Sequence, residues 1–152
     1  MRMTIGGIAL LATMTLAACD NLPGAASANA PPIVGRWACT GGADGMNYES
    51  TFDYRADGRY ISTQHISQGP DNFIEGGGGG TWQLDGDTLT DTKTEGRLDR
   101  FVRNGVEVPA SDPEYQQIAA GTQANLGSVT QGQVTITGDL MVVGFYTCQR
   151  QP

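Results

Sequence analysis

The strongest constraint on this chain is a two-residue alternation of side-chain character, repeated between tight-turn signals. Tyr48, Ser50, Phe52 and Tyr54 alternate with Glu49, Thr51 and Asp53. An extended backbone sends successive side chains to opposite faces, so this segment predicts a strand with one packed face and one wet face. Residues 33–40 read as an earlier strand, with Gly35, Trp37 and Cys39 on one face, and 41–45 as a turn. Arg55-Ala56-Asp57-Gly58 is hairpin chemistry, with Gly58 suited to positive φ. Residues 59–66 return as a third strand. Further on, 81–84 and 88–92 read as strands joined by Asp85-Gly86-Asp87. Residues 97–102 follow, turned by Arg103-Asn104-Gly105, then 129–137, turned by Gly138-Asp139. The last strand, 140–149, is expected to place Leu140, Val142, Gly144, Tyr146 and Cys148 on one face.

Two segments depart from this rhythm. Residues 68–80 hold a Gly-Pro step and five consecutive glycines, Gly76 to Gly80, and read as a loop. Residues 111–121 carry helix punctuation: Asp112 to cap, Pro113 at the first position and Gly121 at the end. Tyr115, Ile118 and Ala119 would share one face of that helix.

The amino-terminal end has a different character. Arg2 precedes an apolar stretch from Ile5 to Ala18, broken by Gly6, Gly7, Thr13 and Thr15. A membrane span needs about twenty apolar residues, and this stretch is shorter; it has the order of an export signal. It ends in Leu16-Ala17-Ala18-Cys19, which resembles the lipobox of bacterial lipoproteins. The resemblance implies diacylglycerol on the Cys19 sulfur, cleavage between Ala18 and Cys19, and anchoring to a membrane through that lipid. Each buried CH₂ of acyl chain contributes about 0.8 kcal/mol, so two or three chains anchor stably. Asp20-Asn21 resembles the retention signal of enteric lipoproteins, which implies the inner membrane, with the outer membrane as the alternative. The chain then divides into a signal peptide (1–18), a lipidated tether rich in small residues and proline (19–32), and a folded domain (33–152) facing the periplasm.

Export means an oxidising compartment, so Cys39 and Cys148, an even pair 109 residues apart, are expected to form a disulfide. A disulfide needs Cα atoms within about 7 Å. The two cysteines lie in the first and last strands, which become neighbours if the sheet wraps round. About eight strands with short sequential turns therefore predict an all-β domain, a small antiparallel up-and-down β-barrel with one short helix. A sandwich whose terminal strands adjoin is the alternative.

Three pieces resemble the small lipocalin-like domains of bacterial lipoproteins: Gly35-Arg36-Trp37, Phe52 with Asp57-Gly58-Arg59-Tyr60, and the run from Gly80 through Trp82 and Asp85-Gly86-Asp87 to Leu89. The same phrasing looks like the barrel of the copper-resistance and envelope-stress lipoproteins. Their CxxC pair is missing here, so no metal role is carried over. The lipocalin-like resemblance implies a barrel mouth able to hold a small apolar ligand. Trp37, Phe52, Tyr60, Trp82 and Tyr146 are the aromatics that would line it, and the Tyr115 helix would lid it; in a domain this small the same rings can simply fill the core.

Charge and composition narrow the functions. The chain has 9 basic and 16 acidic residues, a net of −7. Removing Arg2 with the signal leaves the mature chain near −8. A nucleic-acid partner needs a basic footprint and is excluded. No catalytic set is legible: His65 is the only histidine, and the mature cysteines are committed to each other. Asp85, Asp87 and Asp91 lack the other ligands of a calcium loop, and the glycine run lacks the lysine of a phosphate loop. No cofactor is expected. The expectation is a monomeric binding or structural module; a periplasmic protein-interaction or inhibitor domain, similar to the lysozyme inhibitors, is the alternative.

Overall fold

The computed structural model describes residues 30–152; the signal peptide, Cys19 and the tether up to residue 29 lie outside the described residues. The elements are β1 (Gly35–Ala43), β2 (Met46–Tyr54), β3 (Arg59–Ser67), β4 (Phe73–Asp85), β5 (Thr88–Arg103), β6 (Val106–Glu107), α1 (Pro113–Ala124), β7 (Val129–Thr137), β8 (Leu140–Val143) and β9 (Tyr146–Arg150). Every pairing is antiparallel. β1 to β5 pair in sequence, β5 pairs with β7, β7 to β9 pair in sequence, and β9 pairs with β1. Eight strands thus close into a barrel, while β6 is a two-residue return on the end of β5. Closure gives each of the eight strands two neighbours, so no whole strand is left as an open-sheet edge. Cys39 and Cys148 stand directly opposite each other in the closing pair and are joined by a disulfide.

One pole is plugged. Ile33, Trp37 and Met141 are fully buried there, with Tyr54, Leu89 and Val134 packed around them. The Trp37 indole donates to the Ile33 carbonyl at 2.8 Å. Arg150 lies over the Trp37 ring, 4.2 Å from its centroid, and donates to the carbonyls of Val34 (2.7 Å) and Pro32 (2.6 Å). A large apolar side chain buried this way stabilises by roughly 1.5–3 kcal/mol, and the satisfied indole N–H avoids a desolvation cost.

The structure corrects the sequence reading in the middle of the chain. The glycine run is not a loop; it is the heart of β4, paired with β3 on one side and β5 on the other. Glycine is a poor strand former on propensity, and tertiary contact overrides this here. A Cβ at Gly76 would lie 2.5 Å from the Arg97 carbonyl oxygen, one at Gly77 2.5 Å from that of Ser62, and one at Gly80 would collide with that of Thr92. Only a strand without side chains lets its neighbours approach so closely. The loop is confined to the few residues between β3 and β4. Residues 88–92 and 97–102 are likewise not two strands but the two ends of β5. β5 carries two irregularities, opposite Glu75/Gly76 and Gly79/Gly80. Such bulges bend a strand and raise its twist, which helps a small barrel close.

A second correction falls at the end. Residues 140–149 are not one strand. Gly144, at φ 57°, and Phe145 form a two-residue hairpin that pairs Val143 with Tyr146. The reversal shifts the phase, so Met141 joins Cys148 inside while Leu140 and Val142 face outward. The helix keeps its expected start: Asp112 accepts from the Glu114 N–H at 2.8 Å. It continues past Gly121 to Ala124, and its half-buried face includes Tyr115, Ile118 and Ala119 as expected. It packs on β5, where Tyr115 donates to the Leu98 carbonyl (2.9 Å) and Gln123 to that of Gly96 (2.7 Å).

Candidate binding cavity

The short strands shape an opening in the wall, framed by aromatic side chains. β8 and β9 have four and five residues against nine in β7. β7 pairs with β8 only along residues 134–137, while residues 129–133 pair with β5. Above the Gly144-Phe145 hairpin the wall is therefore low. Beneath it lies a hollow of about 200 Å³ whose lining includes Phe52, Tyr54, Leu89, Asp91, Val143 and Tyr146.

Its walls are aromatic. Phe52 stacks on Tyr54 with centroids 5.8 Å apart, and Tyr146 meets Phe52 edge-on at 5.9 Å. Trp82 braces Tyr54 from behind, edge-on at 5.9 Å, while its indole N–H reaches the carbonyls of Arg55 and Arg59 at 3.0 Å each. Phe145 sits at the rim against Tyr48 and Tyr146, and it lies where a side chain on Gly41 would otherwise be.

One charged group enters this shell. Asp91 is on the inward face of β5, opposite Trp82 on β4 and Thr130 on β7. Its Oδ1 is shut away from solvent without a hydrogen-bond partner, the single such side-chain atom among the described residues. None of the ion pairs found among those residues includes it. Burial pushes its carboxyl up to about 6, and the nearby Tyr54 phenol pulls the other way by favouring the charged form. Burial also raises the Tyr54, Tyr60 and Tyr146 phenols above their ordinary range, and the Asp91 charge adds to this at Tyr54 and Tyr60. Near neutral pH the hollow therefore holds neutral phenols around a largely ionised carboxylate.

Of the five aromatics expected to line a mouth, Phe52 and Tyr146 line this hollow. Trp37, Tyr60 and Trp82 lie in the packed core. The helix lies along β5 and contributes none of the lining. In sequence, Asp91 groups with Asp85 and Asp87 as acids beside a hairpin that lack the other ligands of a calcium loop. The signal that could have found it is the period from Leu89, which puts Asp91 on the packed face two residues later.

A larger concavity, about 770 Å³, runs across the outside of the barrel waist. Its lining includes Cys39, Ser50, Gln64 and Cys148, with Thr40, Glu49 and Glu75. His65 is there, its Nδ1 3.3 Å from Glu75 Oε1 and its ring 4.9 Å from that of Phe73. Both partners are well solvated, and no buried polar atom is left wanting. Among the described residues no three His, Cys, Asp or Glu side chains converge as metal ligands would. The interior hollow is the site with unmet chemistry.

Fold and hollow together define a small closed eight-stranded antiparallel barrel with an aromatic chamber beneath a low rim. No protein-family profile matches the chain, and a search among curated proteins returns no match. No helix among the described residues is long and apolar enough to cross a membrane.

Proposed function

We propose that this chain is a lipid-anchored lipoprotein of the cell envelope whose barrel serves as a binding module for a small molecule held beneath its rim. The anchor reading is supported by Leu16-Ala17-Ala18-Cys19 behind a charged, apolar leader. The observation that carries the binding reading is the hollow itself: partly enclosed, aromatic, and built around one polar group, the usual composition of a ligand site. At about 200 Å³ it falls below the ~300–1,000 Å³ of drug-sized pockets, so its occupant is small.

Two measurements test this. Metabolic labelling with an alkyne fatty acid should tag the wild-type chain and not Cys19→Ser, which should leave the membrane fraction; equal labelling of both refutes the anchor. Native mass spectrometry of the full chain extracted from membranes should find a small molecule bound. Gly132→Leu should abolish it, because Gly132 lines the hollow and a Cβ there meets only a Val143 methyl, at 3.9 Å, so the strand can accept a side chain that fills the space. A chain that carries nothing, or a variant that carries the same molecule, refutes the binding reading.

A further inference from the structure

Resting on that binding reading, a narrower statement follows from what the hollow lacks. We propose that its occupant is a small organic cation, an ammonium group on an apolar body, with its charge against Asp91 and its body among Phe52, Tyr54 and Tyr146.

The argument begins with an imbalance. A carboxylate taken out of water needs a partner, and buried charges are paired or fully hydrogen-bonded in almost every fold. Asp91 has no cation beside it and no donor on Oδ1; the Tyr54 phenol is the one hydrogen-bonding side chain that favours its charged form, and it brings no positive charge. The groups facing it can be named element by element. β2 offers Tyr54 and β3 offers Tyr60, both phenols. β4 offers Trp82 and β7 offers Thr130, neither of which titrates in the ordinary range. β9 offers Tyr146, a phenol further round the same wall. Lys93, two residues along β5, extends over Gly96 instead, its Nζ 3.3 Å from where a Cβ there would stand. The protein supplies the negative charge and withholds the positive one.

The walls fit the missing partner. Aromatic faces are electron-rich and attract cations, strongly so when water is excluded. A neutral hydrophobe would leave the carboxylate unpaired, and an anion would be repelled by it. A bare calcium or magnesium ion would want six or more oxygen ligands, against the two that one carboxylate offers. A quaternary or tertiary ammonium brings at most one N–H, so one carboxylate answers it and rings can fill its other sides.

The test compares shape-matched probes on the full chain by NMR titration: choline against 3,3-dimethyl-1-butanol, and phenethylamine against 2-phenylethanol. At pH 7.5 the cation of each pair should bind at least tenfold tighter than its neutral twin. Asp91→Asn should remove that preference, bringing the cation of each pair to within twofold of its neutral twin. Acidification through pH 6 should weaken the cations alone, since protonation of Asp91 removes the charge while the phenols stay neutral. Equal affinity within a pair, or a preference that survives in Asp91→Asn, overturns the cation assignment and leaves the hollow as a site for neutral molecules. Silence from all four probes at millimolar concentration overturns both readings.

Discussion

Asp91→Asn should make this protein more stable near neutral pH, and the size of the gain can be worked from the structure. A carboxyl in an unfolded chain titrates near 3.9. In the fold that of Asp91 is pushed up to about 6 by burial. Two pH units correspond to roughly 3 kcal/mol held against the native state whenever Asp91 is ionised. The folded protein binds the proton more tightly than the unfolded chain between about pH 4 and 6, so this contribution makes stability fall as pH rises through that window. Asparagine keeps the shape and loses the charge, but its amide must still be desolvated. The net gain at pH 7.5 should be about 1–3 kcal/mol. At pH 4.5, where the native carboxyl is mostly protonated, about two thirds of the charge penalty is already gone, and the variant's advantage should shrink with it. Urea unfolding of both proteins at the two pH values, followed by tryptophan fluorescence, measures this directly. A variant no more stable than wild type at pH 7.5, or an advantage that does not shrink on acidification, would refute the claim that burial of the Asp91 charge outweighs the Tyr54 hydrogen bond to it.

Other substitutions probe the frame. Replacing Cys39 and Cys148 with serine opens a loop of 109 residues and should cost about 4–5 kcal/mol in the chain-entropy account, read as a lower urea midpoint. Gly80→Ala drives a methyl into the Thr92 carbonyl and should cost about 3 kcal/mol or more. Gly121→Ala, on an exposed helix position with nothing within 4 Å, should instead stabilise by about 0.5–1 kcal/mol; a common sign for the two glycines would contradict the packing described. Arg150→Ala removes the stack on Trp37 and two carbonyl contacts and should cost about 2 kcal/mol, with faster quenching of Trp37 by acrylamide.

The barrel was legible because its information is local and periodic. The alternation in β2 sets the register of both its neighbours, and turns such as Gly138-Asp139 state where the chain reverses. The cysteines then supply the one long-range fact, that the first strand meets the last. What escaped has a different cause. Five glycines carry no periodicity, and their place in β4 depends on how near β3 and β5 come, which no local pattern records. The reversal at Gly144-Phe145 turns on a glycine that falls in step with Leu140 and Val142, so an apparently continuous apolar alternation hid a change of phase. Asp91 escaped because an acid on a packed face violates the very pattern used to find that face. Such local violations are where function is expected to show.

The chain comes into the barrel at the plugged pole, where Arg150 grips the backbone of Pro32 and Val34. The hollow opens beside the Gly144-Phe145 hairpin, at the end to which β1 runs. A tie placed upstream of Ala30 would therefore hold the molecule by its foot, like a goblet, with the brim turned away from the attachment. Traffic in and out of the bowl would never have to pass the stem.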